Sequence, residues 1–212
     1  MRDRIPKQGL SDLPVNLRAK VYNYMRRAYW RYLRAVGHEE LSWNLQFQSG
    51  RWGAEVRSRE ITERVQLLCN GGRLVEFGCG FGDLPRSLPT GTFSSYLGID
   101  ISSYAISVAQ EKIKAQNLHH CTFQAMDMAR WQGDKDITLI VIEECLMYLK
   151  GQELVEFLHR CCESLAKEGS ILVTVFSAKK HYDTIEACRH TCQVQKEELV
   201  GTRTFLVLKR PA

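Results

Sequence analysis

Residues 73–88, RLVEFGCGFGDLPRSL, place an apolar run of Leu74, Val75 and Phe77 directly before glycines at 78, 80 and 82. A helix-compatible segment with Leu84 and Leu88 follows, and Gly71-Gly72 marks a turn upstream. Glycine reaches backbone torsions closed to other residues and lets a ligand approach the chain. The helix start beyond it offers unpaired N–H groups. Strand, glycine turn and helix in that order are one half of a parallel strand–helix–strand unit, which points to an α/β fold.

The rest of the chain repeats that alternation. Apolar runs at Leu74–Phe77, Ser95–Ile99, Cys121–Ala125, Ile137–Ile142 and Ser170–Phe176 read as strands. Helices are expected around Pro85–Leu88, Tyr104–Ala115, Glu153–Leu165 and Tyr182–Cys188. CQVQKEELVGTRTFLVLKR, with a turn at Gly201, reads as an antiparallel hairpin closing a Rossmann-like parallel sheet. Two units are expected: a helical and aromatic extension over 1–59, acting as a lid or substrate cap, and a ligand-binding domain over 60–212. Within the extension, Leu17, Val21, Met25, Ala28, Tyr32 and Val36 recur at helical spacing between Pro14 and Gly37. Lys20, Arg27, Arg31 and Arg34 lie on the other side, so the apolar stripe is expected to pack on the body. SWNLQFQSGRWGAEV, holding Trp43, Phe47 and Trp52, reads as an aromatic loop, and EVRSREITERVQLL as a helix.

Charge limits the partners. Residues 1–34 hold nine Lys/Arg against two Asp, which accounts for the whole net charge of +5. A basic nucleic-acid-binding body is therefore disfavoured, while the N-terminal helix keeps an acidic surface, a partner protein or an acidic substrate in play. No apolar run is long enough to span a bilayer, and the first residues lack the apolar core of a signal peptide, so a cytoplasmic protein is expected. The eight cysteines show neither a CxxC pair nor zinc-finger spacing and read as reduced, mostly buried thiols.

The acidic residues around the glycines select the ligand. GCGFG is tighter than the dinucleotide spacing GxGxxG, and Glu76 precedes it. YLGID ends in Asp100, whose carboxylate can accept two ribose hydroxyl hydrogens. Asp127, in FQAMDM between Met126 and Met128, can accept from an exocyclic amine. Three carboxylates at successive strand ends suit a cationic nucleoside without phosphates, namely S-adenosylmethionine. Each taken alone is equally a helix cap or turn former.

At these residues the chain resembles the class I S-adenosylmethionine-dependent methyltransferases. LVEFGCGFGDLPRSL is similar to their first motif, YLGIDIS to the acidic second-strand motif and AMDM to the adenine-edge motif. ITLIVIEECLMYL and ESLAKEGSILVTV resemble the fourth strand and the helix–turn–strand after it. The resemblance covers about residues 60–209 and implies the seven-stranded methyltransferase fold. It implies Glu76, Gly78, Cys79, Gly80 and Gly82 around the methionine portion, Asp100 and Ile101 at the ribose, Asp127 and Met128 at the adenine, and Glu143 nearby. The product would be S-adenosylhomocysteine. IEECLMYL resembles the small-molecule branch that includes the nodulation N-methyltransferase.

Methyl transfer by direct displacement needs alignment and, for some acceptors, a base. Glu144 is expected as an anchor or base for a substrate amine, Tyr148 as a pocket wall and His181 as the histidine suited to proton transfer. Trp43 and Trp52 are candidate substrate contacts. No metal is implied. The leading expectation is N- or O-methylation of a small molecule of sugar or natural-product type. Methylation of RNA or protein recruited by the basic helix, and a non-catalytic cofactor-binding subunit, remain open beside it.

Overall fold

The strand before the glycines, β1 (Arg73–Phe77), lies inside a seven-stranded sheet. The other strands are β2 (Ser95–Asp100), β3 (Cys121–Ala125), β4 (Ile137–Glu143), β5 (Leu165–Phe176), β6 (Gln193–Val200) and β7 (Arg203–Lys209), in the order β3-β2-β1-β4-β5-β7-β6. Neighbours among the first five strands run parallel, and β7 lies antiparallel between β5 and β6. The computed structural model describes residues 15–52 and 59–211. Pro14 and the start of the helix expected from Glu55 lie outside the described residues.

The described chain also holds seven α-helices, α1 (Val15–Ala35), α2 (Glu39–Gln48), α3 (Arg59–Cys69), α4 (Asp83–Ser87), α5 (Ser103–Ala115), α6 (Gly151–Ser164) and α7 (Tyr182–Thr191), and two short 3-10 turns, Met128–Arg130 and Leu146–Tyr148. Alternation along β1 divides two cores. Leu74 joins Ile61 and Val65 of α3 with Leu139 and Leu172. Val75 and Phe77 join Phe157, Leu158 and Cys161 of α6 on the other face. Phe77 packs edge-on against Trp131 and Phe157 at 5.0 and 4.9 Å, a geometry worth about 0.5–1.5 kcal/mol per pair beyond area burial. Burial on both faces explains why β1 and β4 are predominantly apolar, with Glu76 the buried exception in β1.

The expected hairpin and parallel sheet are present. Three local expectations are corrected. First, α6 ends at Ser164 and β5 starts immediately, not at Ser170. The early part of β5 pairs Leu165 with Ile137, and the register then shifts before Ser170 meets Leu139. Gly169 permits that irregularity, because a Cβ there would lie 2.6 Å from the Ile137 carbonyl oxygen.

Second, Trp43 and Phe47 stand on a helix, α2, and not in a loop. The Ser49-Gly50 turn ends it, and Trp52 follows beyond. Third, the apolar stripe of α1 does not pack inward. The buried side chains of α1 are Trp30 and Leu33, with the Trp30 carbonyl accepting from Ser42 Oγ of α2 at 3.0 Å. Leu17, Met25, Tyr32 and Val36 are 42–60% exposed. A single helix cannot turn both sides to α2, and Trp30 and Leu33, near its C-terminal end, take the contact.

All eight cysteines are free; six are buried, and Cys121 and Cys145 are half-buried. Burial pushes the Cys188 thiol up to about 12. Among the described residues no helix is long and apolar enough to cross a membrane, and no group of three His, Cys, Asp or Glu side chains is placed to hold a metal ion.

Candidate active site

The strand order reverses between β1 and β4, and in open α/β sheets ligands bind beyond the carboxyl ends of strands at that point. The glycine loop is stitched across it. The N–H groups of Gly78 and Cys79 both donate to the Ile99 carbonyl of β2, at 2.8 and 3.1 Å. Gly78 takes φ +71° and Gly82 φ +67°. A Cβ would come within 2.9 Å of Cys145 Sγ at the first and 2.8 Å of the Phe123 ring at the second.

Asp100 organises the loop. Its Oδ2 accepts from Gly80 N at 2.9 Å and its Oδ1 from Ser102 N at 2.8 Å. Burial raises its pKa, opposed by those two N–H bonds. Each oxygen keeps a further lone pair. The Asp100 carbonyl accepts from Met126 N at 2.9 Å, which ties the end of β3 to β2. Asp127 accepts from Ala129 N at 3.0 Å and caps the short turn that begins at Met128. Ile101 and Met128 are half-buried. Glu76 is fully buried and accepts from the Tyr96 hydroxyl.

The Cys145 thiol records how closely these groups converge. Burial raises its pKa well above the ordinary thiol value, and the negative charges of Asp100, Glu76, Glu143 and Glu144 raise it further. The nest is anionic. The helix after the glycines, α4, has five residues and opens with Asp83, which pairs with Arg86 at 2.7 Å and Lys112 at 3.4 Å. A pyrophosphate would find carboxylates there, and the Gly80 N–H already taken. A cationic nucleoside fits the same donor set.

Glu143 ends β4 with a nearly buried side chain, 3.9 Å from Arg203 Nη1. Glu144 follows in the left-handed region, at φ +54°. Its Oε2 accepts from Phe176 N at 2.7 Å, and its Oε1 from Thr174 Oγ1 at 3.3 Å and from Arg203 Nε at 2.9 Å. The carboxylate expected to anchor or deprotonate a substrate is thus committed to β5 and β7. The reason is the reversed backbone at Glu144, which carries its side chain toward the antiparallel strand. Glu144→Gln is expected to cost about 1–2 kcal/mol, from the weakened bond to Arg203, when urea unfolding is compared with the parent.

Tyr148 is about half exposed; burial raises its pKa, with Arg34 and Arg51 opposing. Trp43 meets it edge-on at 5.1 Å, and Trp52 lies 6.1 Å from Trp43. Arg34 lies over the Trp43 ring at 5.7 Å and Arg51 over Trp52 at 5.3 Å. The expected aromatic residues therefore form one cluster, braced by two guanidinium groups. His181 sits just before α7, half-buried. Its pKa is lowered first by burial and then by Lys180 and Lys150. No contact joins it to the aromatic cluster among the described interactions.

Sequence reasoning named Phe47 only as part of an aromatic loop and passed over Asn44 and Cys145; Phe47 and Asn44 place α2 across the crevice. Phe47 packs edge-on against Phe81 at 5.1 Å and faces Gly80. Asn44 Oδ1 accepts from Ser102 Oγ at 2.7 Å and Tyr104 N at 3.1 Å, at the start of α5. Cys145 fills the space beside Gly78. Trp43, Asn44 and Phe47 are spaced three and four apart, which is the helical signal that a loop reading of this segment misses.

A methyltransferase domain family matches residues 74–169. The alpha N-terminal protein methyltransferase 1 of Schizosaccharomyces pombe is 26% identical over 106 residues, 49% of this chain and 47% of the relative, so the match spans about half the curated protein's length. The fold is similar to that of the N-methyltransferase NodS from Bradyrhizobium japonicum WM9, solved with S-adenosyl-L-homocysteine (TM-score 0.61, 17% identity, 73% of this chain and 87% of that one). It is also similar to an S-adenosylmethionine-dependent methyltransferase from Clostridium acetobutylicum (TM-score 0.61, 13% identity, 91% and 100%). A third similar structure is the PH0226 protein of Pyrococcus horikoshii OT3 (TM-score 0.63, 16% identity, 77% and 99%).

Proposed function

We propose that the chain, whose residues 74–169 match a methyltransferase domain family, is a class I S-adenosylmethionine-dependent methyltransferase that methylates an amine nitrogen of a small molecule. The observation that carries this reading is α2, which lies against the glycine loop through Phe47 and presents Trp43 to Tyr148. The bound cofactor supplies a sulfonium-borne methyl group open to direct displacement. The protein's residues bind, orient and control protons. Asp100, held by two N–H groups, accepts from the ribose, with Ile101 beside it. The side-chain-free positions 78, 80 and 82, with Cys79, Glu76 and Glu143, surround the methionine portion. Asp127 and Met128 border the adenine.

Trp43, Trp52 and Tyr148 form the acceptor wall. An amine attacks only when neutral, and nearby cations favour its neutral form. Arg34 and Arg51 supply that field beside Tyr148. NodS is an N-methyltransferase and the yeast protein is named for protein N-termini, which supports nitrogen, while the similar mitomycin 7-O-methyltransferase MmcR is named for oxygen. The likeness to the yeast protein supports a second reading, in which the acceptor is a peptide's terminal amine. Domain roles follow the same division: residues 1–59 cap the acceptor and residues 60–212 hold the cofactor.

The direct test is transfer of labelled methyl from S-adenosylmethionine to a panel of small amines and of peptides with free termini. Cofactor binding by calorimetry, with transfer to neither set, would leave a non-catalytic subunit. Trp43→Ala is expected to raise the acceptor KM roughly tenfold through the lost ring contact, with cofactor affinity unchanged. Its failure to move KM removes the wall. His181 is proposed to receive the proton released on transfer. Because its pKa lies below the ordinary histidine value, its neutral form persists to lower pH. The acid limb of the kcat profile is therefore expected below that value and is absent in His181→Gln.

A further inference from the structure

The outward face of α1 has no covering element among the described residues. At about 100° per residue, Leu17, Tyr24, Met25, Tyr29 and Tyr32 fall on one broad side, with Val36 just past the helix end; that side is turned away from the buried Trp30, and the buried Leu33 borders it next to Tyr29. All six are at least 42% exposed. Lys20, Arg27 and Arg31 border the stripe along one edge, all exposed, and no acidic residue occurs anywhere in Val15–Ala35. Aliphatic and tyrosine side chains on one side, with cations along its margin, are the distribution of a helix lying in a membrane interface.

We propose that α1 docks in plane on the anionic surface of a lipid bilayer, its stripe set into the headgroup region and its basic edge on lipid phosphates. Charge complementarity selects this occupant. Two copies packed stripe to stripe would each bring a basic edge with no acid on the helix to answer it. A nucleic acid would engage the cations and tyrosines but gain little from Leu17, Met25 and Val36. A bilayer engages all of them. The helix cannot span the bilayer, and docking leaves Trp30 and Leu33 on α2. Arg34, from the end of α1, rests on Trp43, so the docked helix adjoins the aromatic cluster. The inference does not depend on which acceptor the enzyme methylates.

The full chain is floated with vesicles of phosphatidylcholine alone and with vesicles containing an equal part of phosphatidylglycerol. Flotation with the anionic vesicles alone, falling as salt is raised, is expected. The triple variant Lys20→Gln, Arg27→Gln, Arg31→Gln should lose roughly a hundredfold in partition, from about a tenfold or smaller contribution per cation near such a surface. Met25→Glu with Tyr32→Glu should lose at least about tenfold. All five side chains are exposed, and unchanged circular dichroism checks that the variants fold. Tyr32→Trp provides a second readout, a fluorescence blue shift on adding anionic vesicles. Absence of flotation and of the blue shift overturns the proposal, as does equal flotation of the stripe variant. Capture by single-stranded RNA instead of vesicles, or a dimer that the stripe variant makes monomeric, assigns the face to another occupant and equally overturns it.

Discussion

Asp100→Ala is expected to weaken S-adenosylmethionine binding by roughly ten- to hundredfold, the scale of a lost hydrogen bond to a charged group. The side chain has two jobs in the geometry. It is the proposed acceptor for ribose, and it holds Gly80 N and Ser102 N at 2.9 and 2.8 Å. Removing it leaves both donors to find new partners and frees the loop, so the entropy of ordering the loop is then charged to binding. Asp100→Asn separates the two effects, because its one carbonyl oxygen can satisfy only one of the N–H groups. Calorimetry on both variants decides the matter, and unchanged affinity in the alanine variant would remove Asp100 from the cofactor site.

The pH dependence carries its own sign. Burial raises the folded-state pKa of Asp100 despite the Ser102 and Gly80 bonds. Across the interval between the unfolded and folded values the native state therefore binds more protons, and this group's contribution to stability falls as pH rises. In Asp100→Ala that acid-range decline should be absent from a plot of Tm against pH.

Gly78→Ala is expected to destabilise the fold by about 2–4 kcal/mol, adding the left-handed penalty of a Cβ to the cost of overpacking. The position has φ +71°, and the new carbon would stand 2.9 Å from Cys145 Sγ and 3.1 Å from its Cβ. Relief is not available from the strand side, because Gly78 N and Cys79 N share the Ile99 carbonyl. The fall in Tm, roughly 4–16 °C for a chain of this size, is read by calorimetry. Pairing it with Cys145→Gly should recover the steric part and leave the torsional part, which a double-mutant cycle resolves. A variant as stable as the parent would show that the loop can relax to another path.

Much of this architecture was legible because it rests on short-range regularities. The spacing of glycines after Phe77 can be read locally, since a tight turn between strand and helix needs torsions that other residues resist. The apolar runs of β1 and β4 mark strands buried on both faces, and the Gly201 turn marks the closing hairpin. The acidic residues at successive strand ends, Glu76, Asp100 and Asp127, were picked out because strand ends in a parallel sheet share one edge. By contrast, Glu144 looked like a free carboxylate in the linear chain. Its partner Arg203 stands on β7, across an antiparallel pairing that no local pattern announces.

Sequence alone thus determined the parallel sheet, its hairpin edge and the acidic rim of the glycine turn, because periodicity and turn chemistry act over a few residues. Only the tertiary structure decided that α2 spans the crevice, that Glu144 turns to β7 and that the apolar stripe of α1 faces outward. Each of those is a choice among surfaces that an amphipathic helix or a charged side chain could equally have offered, and it is settled by which distant partner comes within reach.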